Sequence, residues 1–115
     1  MNKINVDVRS TEICGQWEVV QGLEYYGIQV PVGQLADGAS IPLIAQFFIK
    51  KGGKLFTPSV IHDTGYHQGF MTRLAIDNIF MNAMVDNGVP KLKRELIYSA
   101  VRLFGASSYK GKRYD

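Results

Sequence analysis

The sequence predicts an α+β domain, with an N-terminal antiparallel β-meander packed on three to four C-terminal helices. Short alternating or β-rich segments fill the front, a turn-rich stretch follows, and from Pro42 onward apolar residues recur at helical spacing. At 115 residues the chain is one domain, long enough to bury a core without disulfide or metal staples.

The elements follow in order. INVDVRS, residues 4–10, alternates apolar and polar residues as a half-buried strand should. QWEVV, residues 16–20, and EYYGIQV, residues 24–30, read as two further strands with Gly22 in the short connection between them. Connections this short join antiparallel strands, since a parallel crossover needs a dozen residues or so. VPVGQLADGASIP, residues 30–42, carries prolines, glycines and an Asp-Gly step and reads as an ordered loop.

PLIAQFFI, residues 42–49, predicts a short apolar helix ended by the Lys-Lys-Gly-Gly run. The next helix is expected to start at Thr57 as N-cap, with Pro58 at the first helical position, and to end near Gly69. A third is expected from a Thr72 cap to Asn87, stopped by Gly88. The last starts at Pro90 and stops before Gly105. Its stripe of Leu92, Leu96, Val101 and Phe104, helped by Ile97 and Ala100, is expected to face the core.

Composition narrows the function classes. Apolar residues make up 46% and charged residues 20%, ordinary values for a globular protein. The longest apolar stretch, Ile41 to Ile49, is interrupted by Pro42 and Gln46 and is too short for a transmembrane segment. The opening MNKINVDVRS has no apolar h-region, so no signal peptide is expected. A single cysteine, Cys14, leaves no internal disulfide framework and suits a reducing compartment. The net charge of +3 gathers around Lys50, Lys51 and Lys54 and in the tail from Lys110 to Arg113. This is no dense basic arm, and there is no strong nucleic-acid signal.

Chemistry concentrates in SVIHDTGYHQG, residues 59–69, which holds both histidines of the chain. On a helix His62 and Tyr66 share a face, as do Asp63 and His67. His62 and Asp63 point about 100° apart and can serve two sides of one cavity. The following helix brings Asp77, which borders an apolar stripe through Phe80, Met81 and Met84 and therefore needs a partner. His62 is the candidate. A carboxylate on one imidazole nitrogen fixes the tautomer and leaves the other nitrogen as a base. Asp63 could bind a hard cation together with loop carbonyls.

The same pair has a plainer reading, a buried structural hydrogen bond between two helices. An enzyme needs an open cleft above His62, whereas a structural pair should be buried. His-Asp phosphohydrolase chemistry is excluded because no histidine precedes His62. Zinc is disfavoured, since His62 and His67 diverge by about 140° on a helix and no HExxH is present. His67 reads as a surface or hinge residue.

Two resemblances rest on these residues. VPVGQLADGASIP, then HDTGY, then RLAIDNIFMNAMVDNGV and the final IYSAVRLFG resemble an uncharacterised family common in tailed phages and prophages, family 1353 of the domains of unknown function. The likeness covers most of the chain from Val30 to Gly105. It implies a phage or prophage origin near virion or tail genes, with other virion proteins as partners and the virion or host cytoplasm as location.

The second resemblance is local. HDTGY followed by a helix reading AIDNIF is similar to the active-site helix pair of small calcium-dependent phospholipases. It implies His62 as the general base, Asp77 orienting it, Tyr66 bonded to the Asp77 carboxylate, Asp63 as a Ca2+ ligand and calcium as Lewis acid. Those enzymes also use carbonyls of a Gly-rich loop, for which Gly33 and Asp37-Gly38-Ala39-Ser40 are the counterparts here, with Gly38 the candidate ligand. Their usual loop and the secreted enzymes' disulfides are both absent from this sequence.

DGAS has further readings. Asp37 could cap a turn through backbone N–H groups, or Asp37 and Ser40 could line the pocket of His62, with a Ser40–His62–Asp77 nucleophile triad as a third option. FFIKKGGKLF could form an interfacial patch, though Phe47, Phe48 and Phe56 are expected in the core. Two functions follow. One is a phage-encoded hydrolase acting on an ester or amide of the lipid bilayer or cell envelope. The other is a non-enzymatic virion component, of the tail or its assembly, with a buried structural His-Asp pair.

Overall fold

The computed structural model describes residues 7–10, 17–33, 35–36 and 53–111, and side chains for residues 22–33 and 53–111. Among the described residues five strands come first: β1 (Asp7–Ser10), β2 (Trp17–Gln21), β3 (Leu23–Tyr25), β4 (Ile28–Val30) and β5 (Leu35–Ala36). Three helices follow, α1 (Phe56–Gln68), α2 (Arg73–Asp86) and α3 (Lys91–Phe104), and a 3-10 turn spans Ala106–Ser108. This is the expected α+β class, except that β5 falls within residues 30–42, expected to be a loop, where Leu35 and Ala36 pair with Glu18 and Trp17 of β2. The strand predicted from Ile4 is described only from Asp7. The helix predicted over residues 42–49 lies outside the described residues.

All the strand pairs are antiparallel. β2 lies between β1 and β5, with Val8 opposite Val19 and Trp17 opposite both Ser10 and Ala36. Gly22 then carries the chain from this sheet to a separate β3–β4 pair. The close approach there requires glycine, because a Cβ at this position would lie 1.7 Å from the Val30 carbonyl oxygen.

The predicted single strand over residues 24–30 is instead a hairpin. Tyr26 and Gly27 both have positive φ, 49° and 87°. They form the two-residue turn whose twist matches the flanking strands. The β-rich composition of EYYGIQV reads as one strand and hides the turn, although the buried positions shift parity across it, from Tyr25 to Ile28.

Hairpin and helices share one core. Tyr25, Ile28 and Val30 meet Val60 and Ile61 of α1, Ile76, Phe80 and Met84 of α2, and Ile97 and Val101 of α3. The central helix is α1, buried at nearly every position from Phe56 to Tyr66. Its Ser59 and Thr64 hydroxyls donate to the carbonyls of Leu55 and Val60, both at 2.8 Å, so they enter the core already bonded. Gly65 lets neighbours close in: a Cβ there would lie 2.8 Å from Ile76 Cγ2 and 3.0 Å from Ile28 Cδ1.

Two helix starts show different physics. Thr72 caps α2 as expected, accepting from the Ala75 N–H at 3.2 Å. At α1 the expected Thr57 cap is corrected. The helix begins at Phe56 behind Leu55, with no side-chain cap, and Thr57 and Pro58 sit in its first turn. Burial of Leu55 and Phe56, with Ser59 N–H on the Leu55 carbonyl at 3.1 Å, anchors this end in place of a hydroxyl. Gly69 closes α1 in the left-handed conformation, φ 67°, its N–H on the Gly65 carbonyl.

The α3 expectation needs the larger correction. Ile97 and Val101 are buried, but Leu92, Leu96 and Phe104 are 73%, 64% and 69% exposed. Leu103 is exposed with them. At about 100° per residue the helix carries two apolar faces, and periodicity alone does not say which one meets the core. The neighbour decides. Arg73 of α2 donates to the carbonyls of Val101 and Arg102, both at 3.1 Å. The Val101 carbonyl also accepts from the Gly105 N–H at 2.8 Å, so Arg73 adds further donors to the last turn of α3, and the contact turns the Ile97–Val101 face inward.

Candidate functional site

The helix pair predicted to carry chemistry converges on Asp77. α1 presents His62 and Tyr66 from one face, four residues apart, and α2 presents Asp77 opposite them across the short connection through Gly69 and Phe70. Asp77 Oδ1 lies 2.7 Å from His62 Nε2 and accepts from the Tyr66 hydroxyl at 2.7 Å. Asp77 Oδ2 accepts from Arg102 Nη1 of α3 at 2.6 Å, with Arg73 Nη1 at 3.7 Å. Arg73 also donates to the Tyr66 oxygen at 3.3 Å. The network therefore draws on α1, α2 and α3.

Its centre is closed. His62 and Asp77 are each 0% exposed and Tyr66 is 1% exposed. The His62 ring packs on Tyr66 and Phe80, with centroids 4.1 and 4.7 Å apart. A buried carboxylate is tolerated only when paired and hydrogen-bonded, and Asp77 meets that condition with three donors. Among the described residues no buried side-chain nitrogen or oxygen lacks a partner.

The protonation states follow from this enclosure. Burial lowers the His62 pKa below its ordinary value, because the charged ring would lose its water, and the hydrogen bond and charge of Asp77 offset this only in part. At Asp77 burial pushes upward, but hydrogen bonds from His62, Tyr66 and Arg102 outweigh it and hold the carboxyl below its ordinary value. Burial raises the Tyr66 hydroxyl, and its bond to Asp77 raises it further. The site is a neutral imidazole facing an ionised carboxylate. Nε2 then carries the proton and donates, leaving Nδ1 as the basic nitrogen.

Of the residues singled out in the sequence, the structure brings together His62, Tyr66 and Asp77. Asp63 is half-buried beside them on α1 and His67 is exposed. Asp37, Gly38 and Ser40 lie outside the described residues. For calcium, the described residues contain no group of three or more His, Cys, Asp or Glu side chains able to hold a metal. Of the expected calcium ligands, Asp63 lies within the described residues and Gly38 outside them.

Sequence reasoning missed Arg73 and Arg102. Arg73 stands four residues before Asp77, a spacing that signals an ion pair on a helix. Arg102 arrives from another helix, and no local pattern announces it.

The chain belongs to the family DUF1353, proteins of unknown function, whose profile matches residues 13–101. No curated protein and no solved structure matches the chain. Among the described residues no helix is long and apolar enough to cross a membrane.

Proposed function

We propose that this DUF1353 protein is a phage-encoded hydrolase with His62 as general base, cleaving an ester or amide bond in the lipid bilayer or cell envelope. One observation carries the reading: His62 and Tyr66 converge on the same oxygen of a fully buried Asp77. Two bonds to one oxygen, with Arg102 on the other, hold the carboxylate rigid and fix the tautomer of the imidazole.

In the proposed reaction, Nδ1 of His62 takes a proton from water and the resulting hydroxide attacks the substrate carbonyl. Asp77 stabilises the transient imidazolium. Collapse of the tetrahedral intermediate expels the alcohol or amine, which takes the proton back from Nδ1. His62 is fully buried and not set under an open cleft, and no buried side-chain nitrogen among the described residues lacks a partner. The atoms enclosing the ring, the partner of Nδ1 included, must therefore move aside before water and substrate reach it. Calcium would be held by the Asp63 carboxylate and the Gly38 carbonyl, and would supply Lewis-acid polarisation of the substrate carbonyl.

The test is fatty-acid release from phospholipid vesicles by the full chain, with and without added calcium. His62→Asn should lower turnover by about 10²-fold or more, the range general-base catalysis supplies, while circular dichroism stays unchanged. Absence of turnover by folded wild-type protein under both conditions overturns the hydrolytic reading.

Complete burial of His62 and Asp77 favours a second reading, a non-enzymatic virion component of the tail or its assembly. The network then ties three helices together. Under that reading Asp77→Ala unfolds or misassembles a protein that turns over no substrate.

A further inference from the structure

The leucines that α3 leaves outside form an ordered surface. Leu92, Leu96, Ser99 and Leu103 recur at intervals of four, three and four residues, which places them on one narrow face at about 100° per residue. The three leucines are 73%, 64% and 73% exposed and Ser99 is exposed with them. On the same geometry the buried Ile97 and Val101 lie on roughly the opposite side. The face therefore points away from the core, and it is continuous over the whole helix.

Charge selects the occupant. α3 carries Lys91, Lys93, Arg94 and Arg102 against a single acidic residue, Glu95, whose exposed carboxylate lies 4.0 Å from Lys91 Nζ and holds it only weakly. Lys91 and Lys93 flank Leu92 on either side, each about 100° round the helix, where long stems can lie along an apolar layer while the ammonium groups stay in water. Arg94 donates to the Val89 carbonyl and Arg102 to Asp77, which fixes their places beside the helix. A second copy of this chain would oppose one basic helix to another. A leucine face between lysines matches a surface that is apolar within and negative at its edge.

We propose that the Leu92–Leu96–Leu103 face of α3 docks the protein on an anionic lipid bilayer, lying in the plane of the interface with the leucines in the acyl boundary and Lys91 and Lys93 among the headgroups. The docking does not depend on hydrolysis, since a protein that only bound membranes would use the same face.

The experiment is flotation of the full chain with vesicles of phosphatidylcholine, with or without phosphatidylglycerol, at low salt and at roughly 0.15 M salt. The wild type should float with the phosphatidylglycerol vesicles, more strongly at low salt. Leu96→Asp combined with Leu103→Asp should weaken partitioning by about tenfold or more, because affinity scales with the apolar area inserted. The fold should be unchanged, since both side chains are already in solvent. Lys91→Glu with Lys93→Glu should weaken binding to the anionic vesicles alone. His62→Asn should float like wild type, so loss of docking and loss of hydrolysis are read separately. A folded wild type that stays with neither vesicle overturns the proposal. So does a concentration-dependent dimer in sedimentation, abolished by the double Asp variant, that accounts for the leucines without lipid.

Discussion

α1 and α3 invert the usual distribution of residues. α1 buries Thr57, Ser59, His62 and Thr64, whereas α3 leaves Leu92, Leu96 and Leu103 in solvent. The difference lies in partners. On α1 the Ser59 and Thr64 hydroxyls bond to the preceding turn and His62 bonds to Asp77, all inside the fold. The exposed leucines of α3 have no such neighbour among the described residues of the hairpin or the other helices. Burial follows the availability of a partner more closely than it follows residue polarity, and each departure from the usual pattern marks a candidate function.

The largest expected effect breaks the α1 side of this contrast. Asp77→Ala leaves His62, Tyr66 and Arg102 without their acceptor and should destabilise the fold by about 3–5 kcal/mol, measured by urea unfolding. A loss under about 1 kcal/mol would mean that the carboxylate is not the centre of the helix triad. On α3, Ile97→Ala should cost about 2–5 kcal/mol as a core truncation. Tyr66→Phe deletes one bond to a charged acceptor and should cost about 1.5–3 kcal/mol.

Acid sharpens the contrast further. The folded pKa of His62 lies below its unfolded value, so the unfolded chain binds the extra proton first and stability falls as pH drops below about 6.5. Asp77, also lowered in the fold, adds a second loss below about 3.9, in the same direction. Urea midpoints for wild type should therefore decline between neutral pH and mild acid, and His62→Gln should flatten that first decline. The smallest effect belongs to the outer face. Leu96→Ala should change stability by no more than about 0.5 kcal/mol, and a core-sized loss would show that the stripe is packed in solution.

Much of this architecture was legible in the sequence because local signals and tertiary packing agree. Thr72 and Gly69 bound their helices as their chemistry dictates, and an Asp beside an apolar stripe predicted its own partner, His62. Legibility failed where a choice belonged to the neighbours. EYYGIQV has the composition of one strand, and the positive φ of Tyr26 and Gly27 reveals the turn within it. α3 offers two apolar faces, and the contacts of Arg73 select between them. Leu55 and Phe56 begin a helix through burial, with no capping side chain to announce it. Arg102 reaches Asp77 across 25 residues, a distance no helical period spans.

The central claim is that the Asp77 network holds His62 as a neutral imidazole protonated at Nε2. Nitrogen-15 NMR of histidine-labelled protein, followed from neutral pH into mild acid, tests it most directly. For His62 the account predicts a protonated Nε2, a basic Nδ1, and a ring that stays neutral well below the ordinary histidine range until the protein unfolds. A His62 ring that titrates near about 6.5 in the folded protein, or carries its neutral-state proton on Nδ1, contradicts it.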